Sequence, residues 1–455
     1  MNKSTKKVTR SGFLYRLFRA YMLFFHDKIF YRHTYRLNTE TIPPDGTPLM
    51  IVSNHQNCLN DPLGILFTIR DRKPSFITRA DIFAYHPLAN KFLRAIGLLP
   101  AFRINYEGED TLSKNKETFH VTEQELINGR TIVMYPEAGH QDKRWLGQFS
   151  FGYTRLAFEA AALNNFETDI LILPACNHYS DYSPIQEQIL IKFGTPISLF
   201  PYYELYKTNP RTAQRQVNTL VHEQICHLML HIEDLDNYQA IDFLRNTYGE
   251  RYAQVNGYDP AYLPDRLLSD KILVANLEQA KAIDREGLLK IYQQTLQLEK
   301  AIKKRKINDR LFDKVPSWSR IILQFILCIL LFPLWVFSLW PNALHLIIPT
   351  ILRNRVTDKM FYGTFLFSSS ILITIPLFYI LTGVLTYIYI SVWIALIYLA
   401  LLPLLGLLAW YYRKFFIKTC QAFRFRKEIN NTTIKKLKDL RTSIYNKLDS
   451  LLQQL

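Results

Sequence analysis

Two long stretches of this chain contain no Asp, Glu, Lys or Arg, and they constrain its fold more than any other feature. The first covers residues 321–352, and the second covers residues 360–412, which is 53 consecutive residues without a formal charge. A helix needs about 20 apolar residues to cross the hydrocarbon core of a bilayer. The second stretch is therefore long enough for a hairpin of two spans over 364–412, and we expect its turn around residues 382–387.

The first stretch is harder to assign, because its 32 residues exceed one span, fall short of two and contain three prolines. Basic residues flank both stretches, and the positive-inside rule favours the cytoplasmic face for all of these clusters. Residues 321–352 would then form a re-entrant or interfacial helix pair broken near Trp340-Pro341-Asn342. The alternative is one complete span over 321–340. The expected location is a membrane, the inner one in a bacterium, with the domain over residues 37–202 on its cytoplasmic face.

The net charge of +16 comes from the two ends of the chain. Residues 1–36 contain nine Lys or Arg and one acid, residues 413–455 contain eleven and three, and the middle is neutral. Aromatic, aliphatic and basic residues alternate over 13–31, which is typical of an amphipathic helix on a membrane surface or packed on the next domain. Each Lys or Arg near an anionic leaflet contributes about 1 kcal/mol. We therefore expect a membrane-binding helix in 1–36 and a basic cytoplasmic helical tail in 413–455, both attracted to anionic membrane lipids.

Between residues 37 and 202, short β-type runs alternate with helical stretches. This alternation predicts an α/β domain with a mainly parallel, mixed sheet. Residues 203–318 are polar and have a helical period, so we expect a helical extension that leads to the membrane region at 319–412. The predicted strands are Leu49–Ser53, Ser75–Thr78, Thr131–Tyr135, Ile170–Pro174 and Gln188–Phe193, and the predicted helices cover 62–71, 87–96, 114–128 and 149–163.

Several other classes of protein are not supported. The five cysteines are widely spaced and include no CxxC pair, so neither a disulfide framework nor a zinc ribbon is expected, and the compartment is expected to be reducing. His222 and Cys226 form one pair at i,i+4 spacing and His227 and His231 form a second, which ordinary helix histidines explain better than a metal site. No P-loop, dinucleotide fingerprint or nucleic-acid-binding pattern is present. We expect no metal, no cofactor and no nucleic-acid partner.

His55 and Asp61 follow a predicted strand and precede a predicted helix, where open α/β sheets place their sites. Histidine is suited to act as a general base near neutral pH, and a carboxylate on its other ring nitrogen would fix the tautomer. On a continuous helix the two would point about 240° apart, so they meet only if the residues between them form a loop. Asp61-Pro62 supports this, because Asp is a common N-cap and Pro a common first helical residue. The alternative is that Asp61 is only a cap.

Three further segments carry candidate binding residues. One runs from a glycine to an arginine over 97–103, one covers 135–143, and one is the apolar strand 171–175. Small residues let the backbone approach a ligand, a guanidinium binds phosphate in a bidentate fork and an ammonium adds a point charge. Each segment alone is a weak signal, because a loop arginine is usually solvated. The candidate residues are Arg103, Glu137, Gly139 and Lys143.

The order and spacing of the four segments, over about residues 45–200, resemble the phospholipid/glycerol acyltransferase superfamily. Its members share a His–Asp motif, a glycine-to-arginine motif, a Pro-Glu-Gly motif and an apolar strand ending in proline. Two departures stand out: five residues instead of four separate His55 from Asp61, which puts Asn60 at the common spacing, and Pro136-Glu137-Ala138-Gly139-His140 replaces Pro-Glu-Gly-Thr-Arg. Both are similar to the subgroup of fungal-type glycerol-3-phosphate/dihydroxyacetone-phosphate acyltransferases, and this favours Asp61 over Asn60.

The resemblance implies a membrane-bound glycerolipid O-acyltransferase. His55 would take the proton of an acceptor hydroxyl while that oxygen attacks an acyl thioester, and Asp61 would orient His55. Arg103, Glu137 and Gly139, with Lys143 as an addition, would hold the phosphate end of glycerol 3-phosphate or 1-acylglycerol 3-phosphate. The donor would be an acyl carrier protein or coenzyme A thioester, used as a co-substrate. Two alternatives remain: acyl transfer to a lyso-amino-acid lipid, and a catalytically silent lipid-binding membrane protein.

Overall fold

The computed structural model describes residues 12–69, 72–83, 87–101, 111–137, 139, 143–182, 185–355 and 362–454. The chain divides into two compact units, which are treated separately below. The first comprises residues 1–231 and 358–364, and the second comprises 232–357 and 365–455. The first unit therefore extends beyond residue 202, where the sequence pattern placed the end of the α/β domain.

The first unit is built around one mixed sheet with strand order β1-β7-β6-β2-β5-β3-β4, and β8 pairs with β6. Neighbouring strands are parallel except for the β6–β7 and β6–β8 pairs. The predicted α/β class with a mainly parallel mixed sheet is thus confirmed. The strands are β1 (Tyr31–Leu37), β2 (Leu49–Ser53), β3 (Ser75–Arg79), β4 (Leu98–Ala101), β5 (Thr131–Met134), β6 (Leu171–Tyr179), β7 (Glu187–Phe193) and β8 (Ile197–Ser198).

Helices cover the sheet and supply most of its core contacts. Ala213, Val217 and Val221, on one face of the last long helix of this unit, are fully buried in the same cluster as Met50 and Val52 of β2. Each of the two valines contributes roughly 1.5–3 kcal/mol when its side chain leaves water. This packing explains why the unit continues to residue 231. Its α-helices are α1 (Phe13–Phe24), α2 (Asn60–Thr68), α3 (Pro87–Ala95), α4 (Thr111–Ile127), α5 (Gly152–Ala162), α6 (Tyr203–Thr208) and α7 (Pro210–Leu228).

Strand β6 is longer than the sequence pattern predicted. We expected it to end at Pro174, because proline lacks the N–H that a ladder needs. In the structure Pro174 pairs with Val52 on one side, and the strand continues to Tyr179 because β7 pairs with its last five residues in the antiparallel direction. Strands β1 and β4 were not predicted either, and each lies at an edge of the sheet. The extension of β6 carries three polar side chains toward the end of β2.

The amphipathic N-terminal segment is shorter as an α-helix than predicted. Helix α1 ends at Phe24, a π-helical stretch covers Phe25–Phe30, and Tyr31 already belongs to β1. Arg19 donates from its guanidinium to the carbonyls of Leu66 and Ile69 at 2.7 and 3.0 Å. The carbonyl of Leu66 belongs to the last turn of α2 and that of Ile69 to its C-cap, and a cation is favourable at this end of a helix. One face of α1 is therefore packed on the domain, while Phe13 and Leu17 are exposed.

The second unit contains three helices that are long and apolar enough to cross a membrane: Trp318–His345, Ser368–Tyr389 and Val392–Glu428. The expected break near Trp340-Pro341-Asn342 is wrong, because α11 runs without interruption over Trp318–Arg355 despite its three prolines. Prolines are tolerated in such helices when neighbouring groups satisfy the freed carbonyls. Here the carbonyl of His345, which Pro349 leaves without its helical N–H donor, accepts the hydroxyl of Ser370 at 3.1 Å.

The turn of the predicted hairpin lies later in the chain than expected. Thr382 and Thr386 stay helical, since their hydroxyls donate to the carbonyls of Phe378 and Thr382 at 2.7 Å. The turn falls at Ile390 and Ser391, where the Ser391 hydroxyl accepts the N–H of Ile394 as an N-cap. The helices of the second unit are α8 (Tyr238–Val255), α9 (Leu263–Ile283), α10 (Arg285–Arg305), α11 (Trp318–Arg355), α12 (Tyr362–Phe367, which begins in the first unit), α13 (Ile375–Tyr389), α14 (Val392–Glu428) and α15 (Thr432–Leu452), with a π-helical stretch at Ser368–Thr374.

Candidate active site

The loop between β2 and α2 brings His55 and Asp61 together, as the sequence predicted. Nδ1 of His55 lies 2.9 Å from Oδ2 of Asp61. Asp61 is fully buried, whereas 19% of the His55 side chain is exposed. Because an ionised carboxylate can only accept, Nδ1 of His55 is the donor in this pair, and Nε2 is the acceptor nitrogen of the neutral ring. His55 therefore has the tautomer that a general base needs.

Asp61 is not the helix cap that the Asp-Pro pair suggested. Helix α2 begins at Asn60, so Asp61 lies in its first turn. Its Oδ2 also accepts the backbone N–H groups of Gln56 and Asn57 at 2.8 and 2.7 Å, and its Oδ1 accepts the hydroxyl of Tyr179 at 2.6 Å. These donors compensate a buried charge, which would otherwise be costly. They also fix the carboxylate in place opposite the imidazole.

Asn60, the residue at the more common motif spacing, does not take this role. It is fully buried, and its side-chain amide donates to Oδ1 of Asn57 at 3.3 Å. The extra residue between His55 and Asp61 is accommodated at Cys58, whose φ is +41°. Positive φ is uncommon for a residue with a Cβ and marks a locally strained turn.

Glu137 connects the His55 loop to a second loop. Its Oε1 accepts the backbone N–H of His55 at 2.7 Å, and its Oε2 accepts the backbone N–H of Gly147 at 3.0 Å. Burial raises the pKa of Glu137 to about 7, although both N–H groups oppose that shift. Both carboxyl oxygens are thus already bonded to main-chain groups. This geometry indicates that Glu137 holds the catalytic loop, a role different from the phosphate contact suggested by the motif.

Tyr135 forms one side of the histidine site. Its ring stacks on the imidazole of His55 with centroids 4.4 Å apart and an interplanar angle of 25°. Burial raises the pKa of Tyr135 well above its usual value, and the negative charge of Asp61 adds to the shift. The hydroxyl has no hydrogen-bond partner among the described residues. The ring therefore fixes the plane of His55 by packing alone.

Side-chain amides hold the rest of the loop. Asn54 pairs with both backbone groups of Asn177 in β6, accepting its N–H at 2.8 Å and donating to its carbonyl at 3.0 Å. Gln56 donates to the carbonyl of Lys143 at 3.0 Å and accepts the hydroxyl of Tyr182 at 2.8 Å. The main chain of Lys143 therefore lies beside the His55 loop.

The other predicted phosphate-binding residues are placed only in part. Arg103 lies outside the described residues, so its position relative to His55 stays a prediction. Gly139 is described, and none of the other described residues comes within 4 Å of the point where a Cβ would stand on it. Arg144, which the sequence did not single out, is buried, and it donates to the carbonyl of Tyr179 at 3.0 Å. Lys143 and Arg144 are adjacent bases, and nothing in the sequence distinguishes the buried one from the other.

His222 on α7 and His231, which lies beyond the end of that helix, support the loop that reaches Glu137. Nε2 of His222 lies 3.1 Å from the carbonyl of Gly147, and Nδ1 of His231 accepts the N–H of Leu146 at 3.0 Å. Within the described ranges, no cluster of three or more His, Cys, Asp or Glu could hold a metal ion. These contacts give the two histidines a structural role.

The fold and this site together have the arrangement that a general base needs. A buried carboxylate, an oriented and partly exposed histidine and the carboxyl ends of parallel strands meet in one place, which is suited to removing a proton from a hydroxyl. Residues 35–177 match the family model described as Acyltransferase, so this part of the chain is similar to acyltransferase domains. The match contains His55, Asp61 and Glu137, together with most of the sheet.

Among solved structures, the chain is similar to the 1-acyl-sn-glycerophosphate (LPA) acyltransferase PlsC from Thermotoga maritima. The two are 15% identical, the TM-score is 0.31, and the alignment covers 46% of this chain and 79% of that one. No curated protein matches the sequence.

Proposed function

We propose that this protein is a membrane-bound glycerolipid O-acyltransferase of phospholipid synthesis. It transfers a fatty acyl group from an acyl carrier protein or coenzyme A thioester to glycerol 3-phosphate or 1-acylglycerol 3-phosphate. The observation that carries the proposal is the 2.9 Å contact between His55 Nδ1 and Asp61 Oδ2. Asp61 is buried, accepts four hydrogen bonds and faces His55. A protein that had lost its activity would not need this alignment, so the contact argues against a lipid-binding protein without activity.

In the proposed reaction, Nε2 of His55 accepts the proton of the acceptor hydroxyl as its oxygen attacks the thioester carbonyl. The imidazolium that forms is stabilised by the charge of Asp61, and the proton then passes to the leaving thiolate. The acyl group moves directly between the two substrates, without a covalent enzyme intermediate. Arg103 and Lys143 are proposed to bind the acceptor phosphate, while Gly139 leaves room for the acceptor.

The three apolar helices favour a membrane location, and the flanking basic residues favour placing the catalytic domain on the cytoplasmic face. Anionic lipids are the proposed surface partners of exposed bases such as Lys435, Lys436 and Lys438. The alternative acceptor is a lyso-amino-acid lipid. In that case substitution of Arg103 and Lys143 would change the KM for the acceptor little.

The test is an assay of the purified full-length protein in lipid nanodiscs. Glycerol 3-phosphate, 1-acylglycerol 3-phosphate and a lyso-amino-acid lipid are offered separately, each with acyl carrier protein and coenzyme A thioesters. Loss of a general base lowers rates by about 10²–10⁴-fold, so His55→Ala should abolish measurable transfer, while the control His120→Ala, at an exposed helix position, should not. Transfer by His55→Ala at the wild-type rate, or none by the wild type with any pair, would refute the proposal.

A further inference from the structure

The strained turn of the catalytic loop is bridged by a residue from a distant part of the chain. Thr364 Oγ1 donates to the carbonyl of Asn57 at 3.1 Å and accepts the N–H of Leu59 at 3.2 Å. The residue between these two is Cys58, with its φ of +41°. A single hydroxyl therefore forms hydrogen bonds with the peptide units on both sides of the strained residue, although 307 positions separate Thr364 from Asn57.

The residue before Thr364 is fitted to the same place. Gly363 is buried, and a Cβ on it would stand 2.5 Å from the carbonyl oxygen of Tyr182 and 3.2 Å from Oδ1 of Asn57. The first distance is shorter than any real Cβ contact. Asn57 itself donates its side-chain amide to the same carbonyl of Tyr182 at 3.0 Å. Only a glycine lets this segment approach closely enough for Thr364 to reach the loop.

The bridged turn is connected directly to the catalytic pair. The backbone N–H of Asn57 donates to Oδ2 of Asp61 at 2.7 Å, and the same oxygen accepts from His55 Nδ1. A change in the Asn57–Leu59 turn therefore moves a donor of the carboxylate that orients the base. Misplacement of catalytic groups by about 1 Å is costly in rate.

We propose that Thr364 is a positioning residue of the active site, and that Gly363 allows its close approach. Thr364 holds the Asn57–Leu59 turn and, through Asn57, the Asp61 carboxylate. The inference rests on the proposed function. The substitutions that follow act on this contact without touching His55 or Asp61.

Thr364→Val removes both hydrogen bonds at nearly constant volume, and Thr364→Ser keeps the hydroxyl. We expect kcat to fall about tenfold in Thr364→Val with little change in either KM, as expected for two lost hydrogen bonds that act only through geometry. Thr364→Ser should recover most of the rate, and Gly363→Ala should resemble Thr364→Val. The matched control is Thr122→Val, whose buried hydroxyl bonds only within its own helix to the carbonyl of Thr118 at 2.7 Å.

Hydrogen–deuterium exchange of the full-length protein tests the contact without any substrate. A peptide spanning residues 54–62 should exchange faster in Thr364→Val, because the N–H of Leu59 loses its acceptor and that of Asn57 loses its fixed position, and Thr122→Val should leave this peptide unchanged. Faster exchange together with unchanged kcat would overturn the positioning role, and so would unchanged exchange. If the wild type transfers no acyl group while exchange responds as expected, the contact stands and the proposed function fails instead.

Discussion

The hydroxyl of Tyr179 lies 2.6 Å from Oδ1 of Asp61, the carboxylate oxygen that His55 does not use. Both groups are fully buried. The contact is possible because β6 continues five residues beyond Pro174 and carries Tyr179 to the end of β2. Asp61 is thus held from both sides, by the loop on one oxygen and by the sheet on the other.

Tyr179→Phe should lower kcat by roughly 10–100-fold, because a hydrogen bond to a charged group contributes about 1.5–3 kcal/mol. The acceptor and donor KM values should change little, since the hydroxyl is bonded to Asp61 and not to substrate. Steady-state kinetics in nanodiscs measures this. Tyr153→Phe is the matched control: its hydroxyl is also buried but has no partner among the described residues. Equal effects of the two substitutions would contradict the role given to Tyr179.

The contact between His55 and Asp61 could be predicted because short-range information was sufficient. An apolar run marks β2, and the polar segment that follows it contains both His55 and Asp61. Tyr179 was missed because Pro174 indicated the end of a strand, and only pairing with β7 shows that the strand continues. The role of Thr364 could not be predicted either, because its contact with Asn57 depends on tertiary structure alone.

The role of Glu137 could not be predicted from its motif. The segment around it marks a loop at the end of β5, which the structure has, but the loop type does not show which atoms the carboxyl oxygens face. Two main-chain N–H groups occupy them, and those donors belong to His55 and to Gly147, ten residues further along. The apolar helices could likewise be predicted only in part. Composition predicts that they exist, but the position of the turn depends on the Ser391 cap.

Glu137 makes stability depend on pH in a defined direction. A free Glu titrates near 4.5 and the buried group near 7, so the folded chain binds more protons than the unfolded chain between these values. The stability associated with Glu137 is therefore complete below pH 4.5 and is lost as pH rises through 7, by an amount on the order of 3 kcal/mol. Glu137→Gln cannot titrate and lacks this loss.

The measurement compares unfolding of the wild type and Glu137→Gln from pH 5 to pH 8. The wild type should lose stability relative to the variant as the pH rises. The exposed substitution Glu167→Gln should give a curve parallel to that of the wild type. A constant difference between wild type and Glu137→Gln across this range would show that Glu137 does not titrate there.

The two glycines of the predicted binding segments have different roles. Gly97 has a φ of +96°, and a Cβ on it would stand 2.6 Å from the carbonyl oxygen of Pro74. Gly97→Ala should therefore destabilise the protein by about 1–3 kcal/mol or more. Gly139 has open space around it, so Gly139→Ala should unfold like the wild type while raising the KM for the acceptor, if the acceptor occupies that space. Unfolding curves and acceptor titrations of both variants test the distinction, and destabilisation by Gly139→Ala would refute it.

Arg441 shows that the basic C-terminal tail is partly structural. It is buried on α15, and its guanidinium forms two-pronged contacts of 2.7–3.1 Å with Asp309 and with Asp313. The ring of Tyr445 lies 4.4 Å below it. Asp309 is only 10% exposed, and burial raises the pKa of its carboxyl even beside the arginine. Removal of Arg441 would leave this carboxylate without its cation.

Arg441→Ala should therefore destabilise the second unit by about 3–5 kcal/mol, the usual cost of breaking a buried ion pair. Arg441→Lys should recover only part of this, because an ammonium cannot form the paired bonds of the guanidinium fork. Lys436→Ala removes one positive charge from an exposed position of the same helix and should leave stability unchanged within about 0.5 kcal/mol. Its effect should appear instead as weaker flotation with anionic vesicles at low salt, and that effect should be larger when Lys435 and Lys438 are also replaced by alanine. Equal destabilisation by Arg441→Ala and Lys436→Ala would show that α15 is held by its overall charge and not by this ion pair.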